Sequence, residues 1–425
     1  MAKPKLALIP AAQGSKLFSV LPSSGVGDFT FTRSGSATRI NSQGLIEEVS
    51  NGQSRLNYPM IDGKVVGCPH HILEPQRTNL ITYSKDFSGY SAPNSTRVYN
   101  YGVSPTGVLN ATLIYPPSSS SNVGLYTSAS SSTVGVLSCF VKVSGKNFAL
   151  LGTDNNINRY CVFDLVNETV VHEPSNYQGK IEKYKDGWYR ISSTYTSSEA
   201  ANFPFIGVAD NSSGTVIADG SNGILIFGLQ YEHEGYPTSY IPTNGTTVTR
   251  LAETANGAGT SATFNDSEGV LMAEISALAN VGSFESLSLS SGSNTSRVFL
   301  FYRDALNLME FRVVVGNVIQ MQLQYTIGDV KTFNKFAIKY KENDFSIWIN
   351  GIEVHTDPNG VTFSSFPLTN LSFDDGQVSS PIGQFQGNTK QIQYYDSALT
   401  DSELETLTSW TSFSDMANGQ QYSII

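Results

Sequence analysis

Two neighbouring carboxylates near the middle of the chain have the spacing that chemistry on a sugar would need. Glu232 and Glu234 stand two positions apart, which puts both side chains on one face of an extended strand. Two carboxylates facing one cleft could serve as nucleophile and acid in glycoside hydrolysis. Gly235 and Pro237 follow at once and end a strand, so we interpret the pair as the rim of a domain and predict no catalytic residues.

A second carboxylate pair, Asp374 and Asp375, precedes Gly376. Adjacent side chains on a strand diverge, so this pair is not a catalytic one. In a loop, however, the two carboxylates would offer the hard oxygen ligands that calcium takes, and a solvated turn is the alternative. Asp374 and Asp375 are the predicted metal ligands. No nucleotide-binding or redox motif occurs, so we expect no required cofactor apart from this candidate calcium site.

Sugar recognition normally uses an exposed aromatic ring flanked by polar side chains. Tryptophans Trp188 and Trp348 alternate with polar neighbours inside strong strand patterns, so we predict that both lie in the core. Tyrosines in polar, loop-rich surroundings are better candidates, and Asn294, Asp304 and Asn307 could share the rim of the second sandwich with Asp374 and Asp375. The predicted glycan-binding residues are Tyr99, Tyr101, Tyr115, Asn294 and Asp304.

Composition sets the class of protein. The 425 residues contain only 15% charged residues, and short alternating stretches are separated by Gly, Asn, Asp or Pro, which is the all-β pattern. The formal net charge of −10 argues against nucleic acid as a partner. An acidic polysaccharide would require a local basic patch, which the sequence does not reveal. No apolar run approaches the ~20 residues of a membrane span, so no membrane insertion is expected.

The three cysteines are odd in number and lack any metal-binding spacing. Cys68, Cys139 and Cys161 are therefore interpreted as small buried residues of a protein made in a reducing cytoplasm.

The elements that would position a site are clearest at residues 333–410. Residues 335–340 and 344–349 alternate with period two and predict a hairpin, and Asn350-Gly351 predicts the turn into a third strand. A strand at 391–395 and a short helix capped by Thr400 follow. This order resembles the end of a laminin-G or concanavalin-A-like sandwich domain over residues 262–409. The resemblance implies the fold and leaves activity open, because this fold hosts lectins, hydrolases and spacers alike.

Residues 81–250 predict a first sandwich. Strands are expected at 138–143, 160–165, 187–196 and 223–232, each bounded by turn-forming residues. The segments FDLVNETV, DGWYRISSTYT and GLQYEHEGYPTSYIPTNGTTVTR resemble the carbohydrate-binding-module-like jelly rolls of phage virion proteins.

The first 80 residues predict paired strands that form their own unit, with a turn at 41–44 between two of them. The stretch FTRSGSATRINSQGLIEEV, followed by RLNYP and ILEPQRTNLITYSKDF, resembles the N-terminal extension of bacteriophage tail, fibre or head-associated proteins. The predicted domains are an N-terminal β-hairpin extension for virion attachment or oligomerisation at 1–80, a sandwich at 81–250, a linker at 251–260, a sandwich at 261–409 and a tail at 410–425.

These observations predict an all-β protein with two tandem antiparallel β-sandwiches of jelly-roll type. The resemblances imply a fibre-like virion structural protein, made in the bacterial host cytoplasm, that binds host-surface glycans without catalysis. Its expected partners are other virion proteins, host-surface glycans and further copies of itself, with a trimer favoured. Two alternatives stay open at this point: a virion polysaccharide depolymerase, and an architectural decoration protein that binds nothing.

Overall fold

The computed structural model describes residues 2–121, 123–130, 132–196, 203–280, 284–379, 381–411 and 413–420. Nearly all regular structure is strand, and the described α-helices are the short Asp401–Ser409 and Phe413–Gly419. Within these residues, adjacent strands in each sheet run antiparallel. The predicted all-β class with two antiparallel β-sandwiches is confirmed.

In the first sandwich, a six-stranded sheet packs on a five-stranded sheet, and a core of aliphatic and aromatic side chains fills the space between them. In spatial order, the six strands are Thr96–Val103, Leu109–Tyr115, Gly223–Glu232, Val134–Ser144, Trp188–Thr196 and Tyr177–Lys183. The five strands are Val123–Tyr126, Phe205–Ala209, Phe148–Gly152, Tyr160–Asp164 and Thr169–His172. Two separate two-stranded sheets pair Ser120–Ser121 with Thr215–Val216 and Arg77–Asn79 with Val248–Arg250.

All four strands predicted for this sandwich are present, each within a few residues of its expected bounds. Successive side chains along each strand point to opposite faces of the sheet. Ile191 and Tyr195 therefore point into the core, whereas Arg190 and Ser192 lie on the outer face of the six-stranded sheet. Trp188 is buried in a second cluster on that outer face, where its indole N–H donates to the Val103 carbonyl.

The second sandwich packs an eight-stranded sheet on another five-stranded sheet. In spatial order, the larger sheet contains Ile352–Asp357, Phe345–Ile349, Asn334–Lys341, Glu268–Ala277, Gly387–Tyr395, His70–Leu73 and Leu56–Asn57, with Leu6–Leu8 also paired to Gly387–Tyr395. The smaller sheet contains Val318–Thr326, Leu308–Val315, Arg297–Tyr302, Ser286–Ser290 and Asn370–Ser372.

The predicted C-terminal elements are present as well. Asn350 and Gly351 both have positive φ angles, 49° and 85°, as a type I′ turn requires. The side chain of Thr400 accepts the backbone N–H of Glu403, whose carboxylate accepts the N–H of Thr400, so a capping box begins the helix. That helix buries Leu404 and Leu407 against the sheet face that carries Trp348.

Several strands of residues 2–73 are built into the second sandwich, whereas Ile46 of the hairpin Ala37–Ile40 with Ile46–Val49 packs in the outer cluster of the first sandwich. Leu6–Leu8 and His70–Leu73 lie end to end along one edge of Gly387–Tyr395, and Phe29–Thr32 pairs with Thr254–Asn256. Part of the stretch 251–260, which was expected to be a linker, therefore forms a strand in a small sheet. The remaining small pairings are Lys16–Leu17 with Phe29–Thr32, Ala37–Ile40 with Ile46–Val49, and Met60–Ile61 with Lys64–Val65.

Cysteine placement corrects one expectation from the sequence. Cys139 and Cys161 are buried as predicted, whereas Cys68 is exposed because it lies in a turn just before the strand His70–Leu73. No helix in the described part of the chain has the length and apolar character needed to cross a membrane.

Candidate functional site

Five charged side chains with almost no solvent exposure meet where the N-terminal segment, the exit of the first sandwich and the entry to the second sandwich converge. We call Arg33, Arg55, Glu74, Arg250 and Glu253 the junction cluster. Arg55 bridges both carboxylates: its Nη2 lies 2.7 Å from Glu74 Oε2, and its Nε lies 2.9 Å from Glu253 Oε1. Arg33 contacts Glu253 and Arg250 contacts Glu74, each at 2.7 Å.

In the junction cluster, each buried charge is balanced by an ion pair with a residue of opposite charge. Burial alone would raise the pKa of Glu74, but Arg250 and Arg55, with hydrogen bonds from Ser239, outweigh burial and hold that pKa well below its ordinary value. Glu74 therefore stays ionised. Removing one partner of such a buried pair leaves an uncompensated charge and typically costs about 3–5 kcal/mol. The cluster thus ties three distant segments of the chain into one arrangement.

The loop that follows the first sandwich is anchored by Gln230 and Glu232. Gln230 accepts the N–H of Ile241 at 2.7 Å, and the Glu232 carboxylate accepts the N–H of Thr238 at 3.1 Å. Glu232 is fully buried, so its predicted rim position is wrong; the reason is that residues 235–241 fold back over it. Glu234 is exposed instead, 3.9 Å from Arg77.

This folded-back loop forms one wall of a cleft of about 540 Å³, which we call the junction cleft. Its floor is the outer face of the six-stranded sheet. Register places Gln178 opposite Thr194, Lys180 opposite Ser192, and Glu182 opposite Arg190 on neighbouring strands. The floor is therefore a ladder of hydrogen-bonding side chains at the regular spacing of a sheet.

Including this loop, the walls come from three separate parts of the chain. The hairpin Ala37–Ile40 with Ile46–Val49 closes one side, and residues 235–240 close the next. Leu278, Ala279, Asn280 and Lys331 of the second sandwich close the third side. Tyr184 and Tyr236 contribute partly exposed rings as well, whereas the nearby rings of Phe140 and Tyr240 are almost fully buried. Rings beside amides, hydroxyls and charges are the combination that binds saccharides.

Arg190 is the most unusual residue of the floor. Its side chain lies over the ring of Phe140, 5.6 Å from the centroid. Its Nη2 donates to Ser138 Oγ at 3.0 Å and to the Thr238 carbonyl at 2.6 Å. The guanidinium thus couples the sheet to the loop through neutral oxygens only.

The glycan-binding residues predicted from sequence lie outside the junction cleft. Tyr99 and Tyr101 are exposed, at 43% and 51%, on the edge strand Thr96–Val103, and Tyr115 packs partly against the outer cluster of the six-stranded sheet. Asn294 and Asp304 occupy the turns before and after Arg297–Tyr302, so one six-residue strand, about 20 Å long, separates them. The structure therefore distributes these five residues over separate places, and a glycan contact at any of them stays a prediction.

The predicted calcium ligands, Asp374 and Asp375, have hydrogen-bond and ion-pair partners within the protein, and calcium binding there stays a prediction. The Asp375 carboxylate accepts the Gln377 side-chain amide at 2.6 Å and lies 3.4 Å from Arg297 Nη1, while Asp374 accepts the Gly376 N–H at 2.8 Å. Burial, with the neighbouring charge of Asp375, raises the pKa of Asp374 to about 6. Within the described ranges, no group of three or more His, Cys, Asp or Glu residues could hold a metal ion.

His70 and His71 are both buried on the strand His70–Leu73, and burial lowers the pKa of His70 to about 4 and that of His71 to about 3. Both rings are therefore neutral at physiological pH.

Comparison with known proteins leaves this chain without an assigned family. No family model matches it, and no curated protein matches it. Among solved structures, the carbohydrate-binding module CBM40 of Ruminococcus gnavus IT-sialidase, bound to α2,3-sialyllactose, is 16% identical over 36% of this chain and 93% of its own, with a TM-score of 0.30. Leech intramolecular trans-sialidase, complexed with 2,7-anhydro-Neu5Ac, is 16% identical over 37% of this chain and 27% of its own, with a TM-score of 0.29.

Domains LG4-5 of the mouse laminin α1 chain are 10% identical over 81% of this chain and 96% of their own, with a TM-score of 0.24. The fold of the present chain is therefore defined by the strand pairing described above and not by these similarities.

Proposed function

We propose that the protein is a structural component of a bacteriophage particle that binds host-surface glycans without catalysis, and that the junction cleft is its binding site. The carrying observation is the cleft itself: a polar ladder on a sheet face, walled by aromatic and amide side chains from both sandwiches. Many weak contacts of this kind, multiplied over the copies on one particle, give strong attachment. The particle itself is proposed from the N-terminal stretch that resembles phage extensions.

The carboxylates of the cleft support binding over hydrolysis. Among the described lining residues the acidic ones are Glu74 and Glu182. Glu74 is held ionised by two arginines, so it is a poor proton donor. Glu182 accepts a hydrogen bond from Lys180 at 2.7 Å. Glycoside hydrolysis ordinarily needs two available carboxylates, one of them an acid.

Binding of purified host-surface polysaccharides to the full chain tests this proposal. Gln178 is exposed on the cleft floor, so Gln178→Trp should fill the cleft and weaken binding at least tenfold, while Gln53→Trp, at an exposed position outside it, should leave binding unchanged. If Tyr101→Ala abolishes binding and Gln178→Trp does not, the site lies on the edge strand instead. Release of reducing ends from the bound polysaccharide would support a depolymerase, and absence from purified particles would contradict the virion role.

A further inference from the structure

The junction cleft concentrates positive charge in a chain whose formal net charge is −10. Its charged lining residues are Arg39, Lys180, Arg190 and Lys331 against Glu74 and Glu182. Glu74 is already compensated by arginines of the junction cluster. Basic side chains from four separate stretches of sequence therefore line one cleft, and their acidic neighbours decide which of them carries a free charge.

Three of these cations have an acidic neighbour. Arg39 lies 2.9 Å from Glu47, Lys180 lies 2.7 Å from Glu182, and Lys331 lies 3.8 Å from Asp329. Arg190, in contrast, makes no ion pair with any described residue, although it is only 7% exposed. Its Nε is buried and has no hydrogen-bond partner among those residues.

A buried cation without a counter-charge is costly, because the protein interior replaces the solvation that water would give it. Glu182 is the nearest candidate in register, directly opposite Arg190 on the neighbouring strand. Its carboxylate, however, is engaged by Lys180. Arg190 thus has no ion-pair partner among the described residues, and it lies on the floor of the cleft, where an anionic group of a ligand would gain the most binding energy.

We propose that the ligand of the junction cleft is an acidic saccharide, whose carboxylate pairs with Arg190 while its hydroxyl groups bind Gln178, Ser192 and Thr194. This inference rests on the proposed glycan-binding function. Guanidinium and carboxylate form strong charge-assisted hydrogen bonds, particularly where water is largely excluded. Lys331, exposed on the second sandwich, adds a longer-range attraction that depends on salt.

The test uses the full chain and a panel of purified acidic capsular polysaccharides, each presented in its native form and after chemical reduction of its carboxyl groups. We expect at least tenfold tighter binding to the native form, and this preference should shrink as salt rises. Arg190→Gln and Lys331→Gln should each weaken binding of the native form and leave binding of the reduced form unchanged. Glu182→Gln removes a carboxylate that repels an acidic ligand, so it should strengthen binding of the native form. Lys85→Gln removes an exposed charge outside the cleft and should have no effect on binding.

The outcomes separate the two proposals. Equal binding of native and reduced polysaccharides, unaffected by the Lys331 and Glu182 variants, overturns the acidic ligand and leaves glycan binding intact. Binding of neither form contradicts the glycan-binding function itself. Arg190→Gln also removes two structural hydrogen bonds, so its thermal unfolding is measured alongside. If Arg190→Gln fails to fold, the Lys331→Gln and Glu182→Gln variants still show whether the ligand is acidic.

Discussion

At the scale of single residues, burial decides what each acidic side chain can do. Glu74 is ionised because Arg55 and Arg250 contact it, whereas Asp374 has an adjacent carboxylate and one backbone N–H donor. A buried carboxylate therefore contributes stability in one place and costs stability in the other at neutral pH. The environment of Glu74 is not visible in the sequence, since its partner Ser239 lies 165 positions away.

The pH dependence at Asp374 can be predicted with its sign. Its pKa is about 6 in the folded protein against an ordinary value of 3.8, so folding favours the protonated form. Its favourable contribution is complete below about pH 4 and is lost as pH rises through about 6. The ionised form then costs about 3 kcal/mol. Asp374→Asn keeps an acceptor for Gly376 and removes this cost.

We therefore expect the stability of Asp374→Asn relative to the native sequence, measured by urea unfolding, to increase from pH 4 to pH 8. Asp304→Asn, which removes an exposed carboxylate, is the control for the loss of one charge. A difference between Asp374→Asn and the native protein that stays constant over this range would show that Asp374 is not buried in a charge-excluding environment.

At the scale of elements, the capping box makes the C-terminal helix depend on one hydroxyl. Thr400→Ala removes the acceptor for the Glu403 N–H and should lower the free energy of unfolding by about 1 kcal/mol. Thr406→Ala is the matched control, because its hydroxyl bonds to the Ser402 carbonyl within the helix and caps nothing. Urea unfolding midpoints of the two variants should differ. An equal loss in both would mean that the cap contributes no specific stability.

The same elements show what sequence can predict. The hairpin, the Asn350-Gly351 turn and the helix cap were predictable, because each depends on residues a few positions apart. The edge pairing of Leu6–Leu8 was not, since its partner Gly387–Tyr395 lies at the other end of the chain and an apolar triplet fits many edges. Local periodicity identifies a strand; only tertiary structure identifies its neighbour.

At the scale of the whole molecule, the candidate site arises where distant segments meet. Of its floor, the strand Trp188–Thr196 was predicted and its neighbour Tyr177–Lys183 was not, and its walls come from the N-terminal hairpin, the loop at 235–240 and the second sandwich. The tyrosines predicted from their loop-rich surroundings therefore lie elsewhere. The sequence does carry one sign of the junction cluster: Glu74 and Arg250 are charged residues within apolar or extended stretches of a chain that has few charges. Their pairing could not be derived without the fold.

This assembly predicts different behaviour for the two sandwiches when they are separated. Residues 74–250 retain a complete core and the Glu74 to Arg250 ion pair, so we expect this fragment to be soluble and to unfold cooperatively. Residues 261–409 lose both strands along one edge of Gly387–Tyr395. They also lose six large apolar core residues: Leu6, Leu8, Leu17, Phe29, Phe31 and Leu73.

At about 2 kcal/mol for each buried side chain, that loss is comparable to the whole stability of a typical domain, about 5–15 kcal/mol. The second fragment should therefore lack a cooperative thermal transition, measured by near-ultraviolet circular dichroism, and should regain one when residues 2–73 are co-expressed with it. Cooperative unfolding of 261–409 alone, at the midpoint of the full chain, would show that the N-terminal segment is an accessory. If residues 261–409 alone lack a cooperative transition and regain it when residues 2–73 are co-expressed, the N-terminal strands complete the second sandwich.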